Sequence, residues 1–170
     1  MKSKKNIVLI GMMGSGKSSI GKILSKKLNS DFIDIDKKIE KSEEISISDI
    51  FKKKGEKYFR EIEKNISINY LKLENKVISL GGGGYLNRLI RNQCSKNCST
   101  FWLNWKNEVL IKRIYNSKKR PIVMKLNPLE IKKLIVERSK IYNLSNYKIN
   151  CDKLNKAQIV NKIIKIHESQ

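Results

Sequence analysis

Gly11 to Ser18 reads Gly-Met-Met-Gly-Ser-Gly-Lys-Ser, and it limits the possible folds of this chain more than any other stretch. It meets the phosphate-loop pattern G-x-x-x-x-G-K-[ST] at every position, a pattern that carries meaning between a strand and a helix. Both flanks are present. Ile7-Val8-Leu9-Ile10 is a short unbroken apolar run suited to a buried parallel strand. From Ser19 to Leu28, the side chains of Ile20, Ile23, Leu24 and Leu28 share one helical face. Glycines at 11, 14 and 16 let the backbone wrap phosphate oxygens and turn successive N–H groups inward. The helix start adds its partial positive charge. Lys17 can reach the β- and γ-phosphates, and the Ser18 hydroxyl can ligate Mg²⁺. A nucleoside triphosphate is the expected ligand.

Composition narrows the class. A chain of 170 residues is long enough for a real core and is expected to form one domain, 1–170. So short a phosphate-loop protein leaves little room for a motor or a multidomain switch, and favours a kinase of small molecules. The formal net charge of +21 would ordinarily suggest nucleic acid. The lysines are spread over nearly every expected helix, however, so no specific nucleic-acid partner is expected, only salt-sensitive adhesion to polyanions. Cys94, Cys98 and Cys151 form an odd set without a disulfide framework, and are read as reduced thiols. His167, near the C-terminus, is read as solvated. No apolar run reaches membrane length and no signal peptide precedes the first strand, so a soluble, cytoplasmic protein is expected, with no membrane partner.

Taken in order, Asp31 to Asp36 reads as a second strand, with Asp34 and Asp36 projecting to one side at its end. Two such carboxylates suit Mg²⁺ organisation and acceptance of a proton from an alcohol; they also suit the capping of the next helix. Residues 37–72 read as helical, starting afresh at the Ser46 cap and broken at Gly55. Arg60 and Glu63 lie three apart on one helical face and can pair. Val77 to Leu80 is a further strand opening into Gly81-Gly82-Gly83-Gly84, where a ligand can rest against bare backbone. Thr100 to Leu103 reads as a fourth strand, followed by a helix over 107–116 that carries Arg113 near its end. The basic stretch at about 117–128 has little periodicity and suits a lid. A helix over 129–142, a strand over 147–150 and a closing helix over 158–166 complete the chain. Strands alternating with helices imply an α/β protein with a parallel sheet.

These pieces together resemble the shikimate kinase family along nearly the whole chain. The resemblance is carried by the phosphate loop at 11–18, Asp34-Ile35-Asp36, and Ile47 to Glu63 with its Ile-Phe, Gly-Glu and Phe-Arg steps. Gly81-Gly82-Gly83, Arg120-Pro121 and Glu137-Arg138 followed by Tyr142 extend it. Two stretches depart from the family pattern. Ile122-Val123 stands where Leu-Leu is common, and Cys151-Asp152-Lys153-Leu154 lacks the usual Asp-Thr step and proline of the adenine loop.

The resemblance implies a nucleoside monophosphate kinase-like fold: a five-stranded parallel sheet of order 2-3-1-4-5, flanked by helices, with acceptor-binding helices at 37–72 and a lid. It implies an enzyme that phosphorylates the 3-hydroxyl of shikimate with ATP and Mg²⁺; a monomer is expected. ATP would contact Gly14, Ser15, Gly16, Lys17, Ser18, Ser19, Arg113 and Arg120. Ser18 and Asp34 would hold the metal. Shikimate would meet Asp36, Arg60, Gly81, Gly82, Gly83 and Arg138, with Asp36 taking the hydroxyl proton. Lys17, Asp36 and Arg120 would be the catalytic set. Two other readings stay open: a kinase of gluconate or a nucleotide on the same fold, and a nucleotide-binding protein without catalysis.

Overall fold

The computed structural model describes residues 5–117, 123 and 126–169. Its centre is strand β1 (Asn6–Ile10), buried at every residue. It pairs in parallel on one side with β3 (Lys76–Ser79) and on the other with β4 (Cys98–Asn104). Strand β2 (Asp31–Asp34) adds to β3 and β5 (Tyr147–Asn150) to β4, all in parallel. The resulting order, β2-β3-β1-β4-β5, is the expected one.

Because side chains alternate along a strand, the apolar run of β1 feeds two cores. Val8 and Ile10 join a layer with Ile78 and Trp102, whereas Ile7 and Leu9 join one with Val77, Phe101 and Ile149. The second layer is closed by α1 (Lys17–Leu28) through Ile20 and Leu24, and by α7 (Lys156–Glu168) through Ile159 and Ile163. The first is closed by α2 (Ile35–Glu43), α3 (Ile47–Leu71), α4 (Arg88–Asn97), α5 (Asn107–Ser117) and α6 (Pro128–Tyr142). At the far end of the sheet the fully buried Asn6 acts as a polar clip. Its amide donates to the carbonyls of Leu71 and Leu73, and its Oδ1 accepts from Lys76 N at 2.9 Å.

The Ser46 cap forms as expected, accepting from Asp49 N at 3.1 Å. Gly55, at φ 81° and ψ 170°, breaks α3 into two helical stretches with a backbone conformation that L side chains rarely adopt. Two expectations are corrected, and one unassigned segment is resolved into structure. The second strand ends at Asp34 and α2 begins at Ile35, so Asp36 sits in the first turn of a helix rather than beside Asp34 on a strand. The segment 84–97, unassigned from sequence, forms a 3₁₀ turn over Gly84–Leu86 and then α4, capped by Asn87. His167 is buried, not solvated. The closing helix runs to Glu168, and the spacing of four that carries Ile159 and Ile163 inward carries His167 with them. Burial pushes the His167 imidazole below its ordinary value.

Among the described residues, no helix is long and apolar enough to cross a membrane. All three cysteines are free and buried.

Candidate active site

The site is built at the carboxyl ends of the parallel strands, where each chain leaves the sheet. β1 delivers the phosphate loop. Gly16 precedes α1 as its cap with φ 89°, a left-handed conformation that glycine reaches without strain, and no side chain occupies the capping position. The first N–H groups of α1 therefore face an anion site rather than an internal cap. Lys17 is buried within the loop, its Nζ donating to the carbonyls of Gly11 at 2.8 Å and Met12 at 3.0 Å. Ser18 and Ser19 are exposed at the head of the helix. The Ser18 hydroxyl donates to Asp34 Oδ2 at 2.6 Å, so the end of β2 and the start of α1 place a hydroxyl and a carboxylate together.

Asp36 lies one step beyond. It lines a depression shared with Ser18 and Asp34, and also a cleft whose walls include Arg60, Glu63, Gly82, Gly83 and Arg138. Asp36 thus faces both the phosphate side and the interior of the cleft. Met13, Phe51 and Phe59 supply an apolar wall; the two phenylalanine rings pack 4.8 Å apart.

Arg60 projects from the second stretch of α3. Its Nη1 donates to Glu63 Oε2 at 2.6 Å, while Nε and Nη2 both donate to Glu56 Oε1, at 3.2 and 3.1 Å. Glu63 is only 3% exposed. Burial pushes its carboxyl above the usual carboxylate range, and the Arg60 charge offsets part of that rise. Arg138, on α6, is buried, and its Nη1 donates to Gly82 O at 3.3 Å. The Tyr142 hydroxyl, one turn on, donates to the same carbonyl. Burial holds the Tyr142 phenol up at about 12.

The glycines after β3 take separate positions around this cluster. A Cβ on Gly81 would come within 2.5 Å of Glu63 Oε1 and 2.7 Å of Asp36 Oδ1. One on Gly82 would face Met13 N at 3.3 Å and Arg138 Nη1 at 3.6 Å, and one on Gly83 would lie 2.9 Å from Arg60 Cζ. Gly82 and Gly83 line the cleft; Gly81 stands behind it, against the two carboxylates.

The structure therefore gathers Asp36, Arg60, Gly82, Gly83 and Arg138 around one cleft, next to Lys17, Ser18 and Asp34. Arg113 does not line that cleft but lies against the phosphate loop. Its Nη1 donates to Gly14 O at 3.1 Å, and its guanidinium lies 4.1 Å over the Trp105 ring. Arg120 and most of the expected lid lie outside the described residues. Sequence reasoning missed Trp105 as a site neighbour, since nothing about an aromatic residue after a strand distinguishes it from core.

The shikimate kinase family model matches residues 13–168. This chain belongs to the shikimate kinase family. A shikimate kinase of Sulfurihydrogenibium sp. is 45% identical over 161 residues, covering 94% of this chain and 96% of the relative. The shikimate kinase of Acinetobacter baumannii, solved in complex with shikimate, superposes with a TM-score of 0.92 at 27% identity, covering 99% of this chain and 95% of the other. That of Aquifex aeolicus gives a TM-score of 0.82 at 36% identity, with 96% of each chain covered. The family consists of ATP-dependent phosphotransferases, which fits a phosphate loop beside a cleft that carries two arginines and two carboxylates.

Among the described residues, no group of three His, Cys, Asp or Glu side chains could hold a metal alone. Mg²⁺ binding does not require one, because that ion keeps most of its shell as water and substrate phosphate. The Ser18–Asp34 pair offers the hard oxygen donors it prefers.

Proposed function

We propose that this protein transfers the γ-phosphoryl group of ATP to the 3-hydroxyl of shikimate. The observation that supports this most is the gathering of two arginines, Arg60 and Arg138, and the Asp36 carboxylate around a single cleft adjoining the phosphate loop, with the second carboxylate, Glu63, engaged by Arg60. A small hydroxylated carboxylate needs a charge anchor at one end and a hydrogen-bond acceptor at the other. The guanidinium fork matches a carboxylate bidentately, which an ammonium cannot do. Arg60 is held ready by Glu63 and Glu56, and Arg138 by Gly82 O. Arg138 Nε, buried and without a hydrogen-bond partner among the described residues, is available to the acceptor.

Phosphoryl transfer demands positioning and charge stabilisation more than covalent help. The N–H groups of Gly14 and of Gly16 to Ser19, with the Lys17 ammonium, hold the β- and γ-phosphates, while the Ser15 N–H donates to Met12 O and braces the loop. Lys17 is aimed by the carbonyls of Gly11 and Met12, so little reorganisation is needed as charge grows on the β–γ bridge. Ser18 and Asp34 would hold Mg²⁺, which neutralises phosphate charge when bound. Asp36 orients the acceptor hydroxyl and takes its proton as the oxygen bonds to the γ-phosphorus. The bond to the bridging oxygen breaks, and ADP leaves with that electron pair. The backbone of Gly82 and Gly83 lines the acceptor ring, with Gly81 giving the two carboxylates room behind it. Arg113 borders the nucleoside, and Arg120 of the lid would close on the transferring group. Free buried thiols suit a reducing, cytoplasmic setting.

The test is ADP release measured with shikimate, gluconate or a nucleoside monophosphate as acceptor. Release that depends on shikimate is the expected result. Equal release without acceptor, or faster release with gluconate, overturns the reading.

A further inference from the structure

Trp105 takes no part in the chemistry above, yet it touches the phosphate loop more directly than most residues that do. It lies one residue beyond β4, partly buried, packed against both core layers of the sheet. Its indole Nε1 donates to the Ser15 carbonyl at 2.9 Å, across a separation of 90 residues. Its ring carries the Arg113 guanidinium at 4.1 Å, and Arg113 in turn donates to the Gly14 carbonyl at 3.1 Å. Two consecutive carbonyls of the loop are therefore held on its outer side by one stacked pair.

The consequence follows from the planarity of the peptide group. In a trans peptide the C=O of one residue and the N–H of the next point in opposite directions. Fixing Ser15 O toward Trp105 thus fixes the Gly16 N–H toward the other face of the loop, where α1 begins. Among the described residues, no other side chain hydrogen-bonds to that plane. Gly16 has no Cβ, sits at φ 89°, and a Cβ built on it would meet nothing within 4 Å. The plane before it is held differently, by Arg113 on Gly14 O and by Ser15 N donating to Met12 O at 3.1 Å. The base of the Trp105 loop is itself anchored, since Lys106 N donates to Asp152 Oδ1 at 2.8 Å.

We propose that Trp105 is a positioning residue for nucleotide binding: its indole N–H locks the Ser15–Gly16 peptide plane, and its ring seats Arg113 against the loop. The proposal rests on the reading of the loop as an ATP site, and its main measurement needs no acceptor. Trp105→Phe keeps an aromatic ring under Arg113 while removing the N–H and part of the ring area; Trp105→Leu removes the N–H and the aromatic face altogether. Calorimetric titration with ADP should give a dissociation constant about three- to tenfold weaker for Trp105→Phe, as for loss of one neutral hydrogen bond, and weaker still for Trp105→Leu. The KM for ATP should rise in parallel while the KM for shikimate stays within about twofold, and the unfolding midpoint of the Phe variant should stay near the parent's. A merely structural role would move both KM values together with the midpoint.

Parent-like ADP affinity in Trp105→Phe overturns the proposal, as does an equal rise in both KM values. If the parent binds ADP but does not phosphorylate shikimate, the functional reading fails, and the ADP titration still decides the role of Trp105.

Discussion

Glu63→Gln separates the functional value of the Arg60 pair from its value to the fold. In the parent, Arg60 is held on two sides, by Glu63 at 2.6 Å and by the more exposed Glu56 at 3.1 Å. Glutamine keeps the volume and one acceptor oxygen, but a neutral acceptor holds a guanidinium about half as strongly as a carboxylate does. An arginine side chain carries about 2 kcal/mol of rotamer entropy, and with Glu56 still in place roughly half of it is released. Shikimate must then re-order Arg60 at a cost of about 1 kcal/mol, equivalent to about a fivefold rise in KM. The kcat should change little, because in the proposed mode Arg60 binds the acceptor end remote from the transferring group.

Stability should move the other way. Burial raises the Glu63 carboxyl above its ordinary value of 4.5. Such a group stabilises the fold fully below that value, and the contribution is lost as pH rises through the folded-state value. Glutamine stays neutral throughout, so relative to the parent the variant gains as pH rises from about 4 to about 8. Steady-state kinetics and thermal unfolding at the two ends of that range check both halves. An unchanged KM, with an unfolding midpoint more than about 4 °C below the parent at pH 8, would show the pair to be a brace of the fold and refute the reasoning.

Three further outcomes are expected. Gly81→Ala drives a methyl group toward both Glu63 and Asp36, so it should cost more shikimate turnover than Gly82→Ala, whose methyl meets only tight contacts at 3.3 and 3.6 Å; equal kcat/KM in the two variants would misplace Gly81. Asp36→Asn should lower kcat by about a hundredfold or more, as for loss of a general base, with the shikimate KM within about threefold; near-parental kcat would remove Asp36 from proton transfer. His167 is depressed by burial, so its contribution to stability is present above its ordinary value of 6.5 and lost as pH falls through the folded-state value. Between pH 7 and pH 5 the unfolding midpoint should therefore fall less in His167→Leu than in the parent, and identical slopes would count against the burial argument.

The phosphate loop was legible in the sequence because its chemistry is local: eight consecutive residues set both the backbone path and the charge. The sheet followed from apolar runs alternating with helical periodicity, and the Arg60–Glu63 pair from a spacing of three on one helix. The helix at 88–97 was not legible, because only Leu89 and Ile90 are aliphatic in its sequence and it is held by the Asn87 cap and the burial of Ile90 and Cys94. The relation of Asp34 to Asp36 was misread because the strand-to-helix change falls between them, a boundary set by how α2 packs its buried Ile35 and Ile39. Trp105 marks the remaining limit. Its hydrogen bond to Ser15 spans 90 residues, and no local pattern encodes a contact of that range.

The Asn6 clip bears on how this architecture changes over time. It joins β1 to the point where the chain returns from its helical excursion, at Leu71, Leu73 and Lys76. The helices proposed to meet the acceptor, α2 and α3, therefore hang between two fixed ends, like a module plugged into a socket. Closing a flexible loop twice as long adds only about 0.6 kcal/mol of entropy, so such a module can be lengthened, shortened or exchanged at small thermodynamic cost. The sheet and its phosphate loop need not be rebuilt when that happens. A lineage that keeps the clip can alter what it phosphorylates while inheriting how it phosphorylates.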